Sequence, residues 1–206
     1  MIVHKYKCIF IHQRKNAGTS IIHALGSDLD VSRQDKYNDG CYFERDIKEI
    51  KNYKNKGYVV FCVCRNPWDK VVSGFKYLKK EGFLENDCTI IEALQGKKQI
   101  LQRGRSNMKC RKERIYSHLL QPQCDLIIDK NGEPIVDTVL RYENLNDDFK
   151  QFCKKYLNID NIELPLLNRT EQKNWKEFYD EESNNIVKEL FKKDIEYFNY
   201  QNDGPF

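Results

Sequence analysis

Seven residues, Tyr58-Val59-Val60-Phe61-Cys62-Val63-Cys64, form a nearly continuous apolar run. A strand with one wet face would alternate; a strand covered on both faces has no polar side to show. This run therefore predicts the central strand of a parallel sheet with helices on both sides. Arg65-Asn66-Pro67 ends it, and Pro67 suits the first turn of a following helix, where a missing N–H costs nothing. From Trp68 to Lys79 the apolar residues Trp68, Val71, Val72, Phe75 and Leu78 fall on one helical stripe.

A second strand, Lys7 to His12, precedes a polar loop, Gln13 to Gly18, and a helix opened by Thr19-Ser20 and running towards Leu25. Further helices are predicted over about Glu44–Tyr53, Asn146–Tyr156 and Glu181–Lys192. Asp125–Ile128 and Ile135–Arg141 flank Asn131-Gly132, which predicts a hairpin. Strands alternating with helices give an α/β fold with a mainly parallel central sheet. No repeat, linker or low-complexity stretch divides the 206 residues, so the expectation is a single domain over 1–206.

Composition narrows the class. With 40% hydrophobic and 32% charged residues the chain reads as a globular protein with a charged surface. No apolar run approaches the roughly 20 residues of a membrane span, and the first residues do not resemble a leader, so the expected place is the cytoplasm. The eight cysteines are scattered with no CxxC pair, and the four histidines do not cluster with them. The expectation is reduced, structural thiols and no metal site. Net charge is only +4, but Lys97, Lys98, Arg103, Arg105, Lys109, Arg111, Lys112 and Arg114 crowd one segment opposed by Glu113 alone. That segment is either a solvated surface or an electropositive wall for an anionic ligand. A dedicated nucleic-acid binder would carry aromatic residues among these charges and a more basic chain, so no nucleic-acid partner is expected.

Two motifs carry chemistry. Lys15-Asn16-Ala17-Gly18-Thr19-Ser20 lies between a strand and a helix, where backbone amides and the helix dipole favour a phosphate. It is not a Walker A loop, because Gly18 is followed by Thr19 and the lysine stands three residues before the glycine. The other motif is Arg65-Asn66-Pro67-Trp68-Asp69 with Ser73 one turn beyond Asp69. An arginine at the carboxyl end of a central strand lies where open α/β sheets bind ligands, and its planar fork suits a phosphate.

Both motifs resemble those of sulfotransferases that use 3′-phosphoadenosine 5′-phosphosulfate (PAPS). Ile9 to Ser20 is similar to the 5′-phosphosulfate loop of that family, and Phe61 to Ser73 to its 3′-phosphate segment. The likeness continues through Gln121-Pro122-Gln123, Val139 to Leu145, Leu164 to Thr170, Phe178 to Glu181 and Asp194 to Tyr200. Together these resemble the carbohydrate-type branch, which includes the heparan and chondroitin sulfotransferases. The resemblance implies a P-loop-like sulfotransferase fold and transfer of a sulfuryl group from PAPS to an acceptor hydroxyl on a carbohydrate, leaving PAP. It further implies that Lys15 contacts the phosphosulfate bridge, that the loop Asn16, Ala17, Gly18, Thr19 and Ser20 holds the 5′-phosphate, and that Arg65 and Ser73 hold the 3′-phosphate. Arg169, in Asn168-Arg169-Thr170, would close over the nucleotide. The glycan acceptor, itself anionic, would suit the basic segment.

One departure bears on catalysis. Relatives commonly place a histidine base before the second helix, where this chain has Cys41. A thiol is a poor general base beside an imidazole. Glu44 and Asp39 are the carboxylates close by; His12 and His118 are further candidates. Two alternatives stay open: a P-loop kinase or NTPase, and a PAPS- or PAP-binding protein with weak transferase activity.

Overall fold

A computed structural model describes residues 1–26, 43–100, 108–165 and 174–206. The chain is an α/β protein with a four-stranded mixed sheet in the order β1 (Ile2–Val3), β2 (Cys8–Ile11), β3 (Val59–Cys64), β4 (Thr138–Arg141). β1 is antiparallel to β2, whereas β2, β3 and β4 are mutually parallel, with Phe10 opposite Phe61 and Val63 opposite Leu140. The apolar run at Tyr58–Cys64 is therefore the central strand, and its residues from Val60 onward are buried.

The residues gather into two compact units. One comprises Met1–Arg65 with Gln123–Thr170, the other Asn66–Pro122 with Glu171–Phe206. All four strands belong to the first unit, together with α1 (Gly18–Leu25), α2 (Phe43–Asn55) and α6 (Leu145–Phe152). Its core forms where Phe10, Phe61, Val63 and Leu140 on one face of the sheet meet Ile21 and Leu25 of α1 and Phe149 and Phe152 of α6. The Phe61 and Phe152 ring centres are 4.2 Å apart. Beyond Phe152 the helix continues as a wider turn, Cys153–Leu157, stopped by Asn158 in the left-handed region.

The second unit holds α3 (Pro67–Lys80), α4 (Ile90–Leu94), α5 (Met108–Ile115), α7 (Glu181–Leu190) and α8 (Lys192–Tyr197). Pro67 occupies the first turn of α3, and the Asn66 side chain caps it by accepting from Trp68 N at 3.0 Å and Asp69 N at 3.3 Å. The predicted stripe of Trp68, Val71, Val72, Phe75 and Leu78 is buried throughout. α5 runs into a wide turn, Tyr116–Leu120, laid so closely on α3 that a Cβ on Gly74 would stand 2.1 Å from the His118 carbonyl oxygen.

The expected hairpin around Asn131-Gly132 forms its turn but not its arms. Asp129 N donates to Glu133 O, Ile128 bridges Pro134, and Gly132 takes φ +83°. Cys124–Leu126 is a 3-10 turn rather than a strand. Ile135 N still donates to Ile127 O at 2.8 Å, but Ile127 N turns back to Cys124 O, which ends the ladder there; the strand proper starts at Thr138, where β3 supplies a partner. The described free thiols, Cys8, Cys62, Cys64, Cys88, Cys124 and Cys153, are all buried. Burial pushes the Cys8 and Cys153 thiols up to about 12, so neither ionises near neutrality.

Candidate functional site

β2 ends at Ile11, and the chain turns over Gln13–Ala17 before entering α1 at Gly18. Lys15 and Ala17 both adopt the left-handed region, at φ +69° and +56°. Ala17 occupies the N-cap of α1 with no side chain accepting from the first turn, and the first helical bond is Ile21 N to Ala17 O at 3.2 Å. No bond to a residue four back serves the amides of Gly18, Thr19 and Ser20, as at the start of any helix. They concentrate the positive end of the helix dipole in the loop.

Why the helix starts at a glycine is visible in the packing. Phe10 and His12 project from the same side of their strand and stack with ring centres 5.7 Å apart. A Cβ at Gly18 would stand 1.8 Å from His12 Nε2. The imidazole takes the room that a side chain at 18 would need, so the glycine serves this approach; its φ is not left-handed.

A buried polar network fixes the loop to the end of β3. Asn16 is fully buried, and its Nδ2 donates to Val63 O at 2.7 Å, Gln123 Oε1 at 2.6 Å and Gln13 Oε1 at 3.0 Å. Gln13 Nε2 donates to Gln123 O at 3.2 Å. Gln123 grips the Arg65 backbone from both sides, its Oε1 accepting from Arg65 N and its Nε2 donating to Arg65 O, each at 2.9 Å. Arg65 in turn donates from Nη1 to Lys15 O at 2.7 Å and lies with its guanidinium 3.9 Å over the Tyr142 ring.

The motifs read separately in the sequence thus meet: Lys15 and Arg65 are joined by a hydrogen bond across the carboxyl ends of two parallel strands. The Asn16 side chain faces inward as the centre of the network, which leaves its backbone to line the loop. Gln13 and Gln123 went unassigned because the bond that ties them together spans 110 residues.

Of the remaining candidates, Thr19 is exposed, Ser20 is buried, and Ser73 is half-buried in α3 of the second unit. Glu44 falls in the first turn of α2, its side chain outside the described ones, and Asp39, Cys41 and Arg169 lie outside the described residues. His118 is buried, its Nδ1 2.9 Å from Arg114 O and its ring stacked on Tyr77, as a structural histidine would be. Within the basic segment, Lys98 pairs with Asp87 at 2.8 Å and Glu92 at 3.3 Å, and Arg114 donates to Tyr77 Oη.

Fold and loop together define an α/β protein with a polar strand–loop–helix turn braced by a buried arginine. The chain is 36% identical over 100 residues to a protein of Archaeoglobus fulgidus that carries the name "Uncharacterized protein"; the match takes in 48% of this chain and 68% of that one. The chain belongs to the same family as this archaeal protein. No family profile and no solved structure matches it. No helix among the described residues is long and apolar enough to cross a membrane.

Proposed function

We propose that this protein is a PAPS-dependent sulfotransferase acting on a hydroxyl of a carbohydrate. The observation that carries the reading is the Lys15–Arg65 hydrogen bond, which joins the two motifs of the resemblance at neighbouring strand ends. In this reading Lys15 and the amides of Gly18, Thr19 and Ser20 hold the 5′-phosphosulfate, and Arg65 holds the 3′-phosphate. The resemblance also assigns Arg169 to the nucleotide.

The acceptor oxygen attacks sulfur as the bond from sulfur to the bridging phosphate oxygen breaks; PAP departs with that electron pair, and a carboxylate takes the hydroxyl proton. Glu44 and Asp39 are the candidates for that base. Lys15 stabilises charge developing on the leaving oxygen, which is where a preorganised cation acts in group transfer. Because Arg65 also supports the Lys15 carbonyl, it links the grip on one phosphate to the shape of the loop around the other.

The test is transfer of labelled sulfate from PAPS, run beside thermal shifts with PAP and with ATP–magnesium. PAP should raise the melting temperature and ATP–magnesium should not. Lys15→Ala should lose transfer with its melting temperature unchanged. A shift with ATP–magnesium alone would favour a P-loop kinase or NTPase. PAP binding without transfer to any sugar hydroxyl would leave a PAP-binding protein.

A further inference from the structure

At the other end of the first unit's sheet, where β2 and β3 begin, a groove of about 420 Å³ opens among His4, Lys5, Tyr6, Lys7, Gly57 and Tyr156. None of the residues that line it is a carboxylate. His4, Lys5 and Lys7 are exposed, as is Tyr156 at 37%. Lys5 stands 5.1 Å over the Tyr6 ring and Lys155 4.9 Å over that of Tyr156, so each tyrosine comes with a cation. The rim is set by three left-handed turns: Lys7 at φ +46°, Gly57 at +81° and Asn158 at +57°. Val59 N donates to Lys7 O at 3.0 Å, tying the first of these to the start of β3.

Ammonium groups beside accessible phenol rings, with no carboxylate in the lining, select a ligand with an anionic group and a flat or ring-shaped body. The volume fits one nucleoside or two sugar rings. We infer that this groove binds a phosphate or sulfate ester carried on a ring, with Lys5 and Lys7 meeting the oxyanion and Tyr6 and Tyr156 meeting the ring. The site lies at the amino ends of the strands, apart from the loop at their carboxyl ends, and does not depend on the sulfotransferase reading.

Backbone amide NMR of the full chain at low salt locates binding directly. Adenosine monophosphate, a sulfated disaccharide and inorganic phosphate are titrated in turn. The expected result is saturable shifts at Lys5, Lys7, Gly57 and Asn158 with at least one ring-bearing ester, and at least tenfold weaker binding of inorganic phosphate. A Lys5→Gln/Lys7→Asn variant should bind that ester at least tenfold more weakly; asparagine at 7 tolerates the left-handed backbone. Saturation by the nucleotide alone would identify a nucleotide phosphate, and by the disaccharide alone a glycan sulfate. Shifts confined to Gly18–Ser20, equal binding of inorganic phosphate, or an unchanged affinity in the variant would each overturn the assignment.

Discussion

Replacing Gly18 by alanine separates what this glycine does for packing from what it does for a ligand. The new Cβ would stand 1.8 Å from His12 Nε2 and 2.0 Å from its Cδ2. Non-bonded heavy atoms rest at about 3.5 Å or more, so the ring has to retreat by roughly 1.7 Å. That movement breaks its stack on Phe10. Forced repacking of this kind costs about 1–3 kcal/mol, against about 0.5–1 kcal/mol gained from alanine's better helix propensity. The overlap should win, leaving a net loss of roughly 1 kcal/mol at the middle of these ranges and a melting temperature a few degrees lower. Chemical denaturation without nucleotide measures it, and a double-mutant cycle with His12→Ala isolates the cause. Once the ring is gone the added methyl has room, so the double variant should be more stable than the sum of the single losses predicts, by about 1 kcal/mol or more. Additive losses, or a Gly18→Ala protein as stable as the wild type, would refute the claim that His12 dictates glycine here.

Gly74→Ala should cost more, because the obstacle 2.1 Å away is the His118 backbone carbonyl and cannot rotate aside; a loss near the upper end of about 1–3 kcal/mol is expected in urea denaturation. Gln123→Ala removes both bonds to the Arg65 backbone and one to Asn16, and should destabilise by about 1–3 kcal/mol for the buried groups left unmet; Gln123→Glu should not restore it, since a carboxylate cannot donate to Arg65 O. Asp129 accepts from Lys51 Nζ at 3.0 Å and from the amides of Asn131 and Glu133, which hold its carboxyl below the usual carboxylate range, the lysine foremost. Its contribution is therefore complete above the unfolded value of about 4 and is lost as pH falls through the folded one. Stability measured from pH 7 to pH 2 should fall less steeply in Asp129→Asn; an identical acid limb would show that the carboxylate is not linked to folding.

How much of this was legible in the sequence follows from the range of each interaction. β3 and α3 announced themselves because burial on two faces and burial of one stripe leave local patterns, and Pro67 marked the boundary between them. The loop's place between strand and helix was equally local. Gln13 and Gln123 were not legible, because a pairing across 110 residues leaves no mark on either neighbourhood. β1 is two residues long and exists only through its pairing with Cys8 and Ile9. α4 had an unread signal: Thr89 and Glu92 form a capping box, with Glu92 accepting from Thr89 N and Thr89 Oγ1 from Glu92 N. Gly18 was read as part of a phosphate loop and His12 as a further candidate base; that the imidazole occupies the space beside Gly18 is a contact neither reading contained.

The loop itself poses the sharper physical question. Lys15 and Ala17 are both left-handed without being glycine, a conformation that costs on the order of 1 kcal/mol or more at each position. Asn16 between them is fully buried, and its Oδ1 accepts no hydrogen bond from the described residues, a further cost. Such a turn persists only where its surroundings leave no alternative. Here Nδ2 of Asn16 holds three acceptors from Gln13, Val63 and Gln123, while Arg65 holds the carbonyl of Lys15. All of those restraints except the bond to Gln13 come from outside the loop. The network therefore sets the direction of the Lys15 backbone and of the first turn of α1 before any ligand arrives. An anion meeting amides already aligned would find the ordering cost met during folding. That is the physical sense in which this strained, over-determined turn suits the binding role proposed for it.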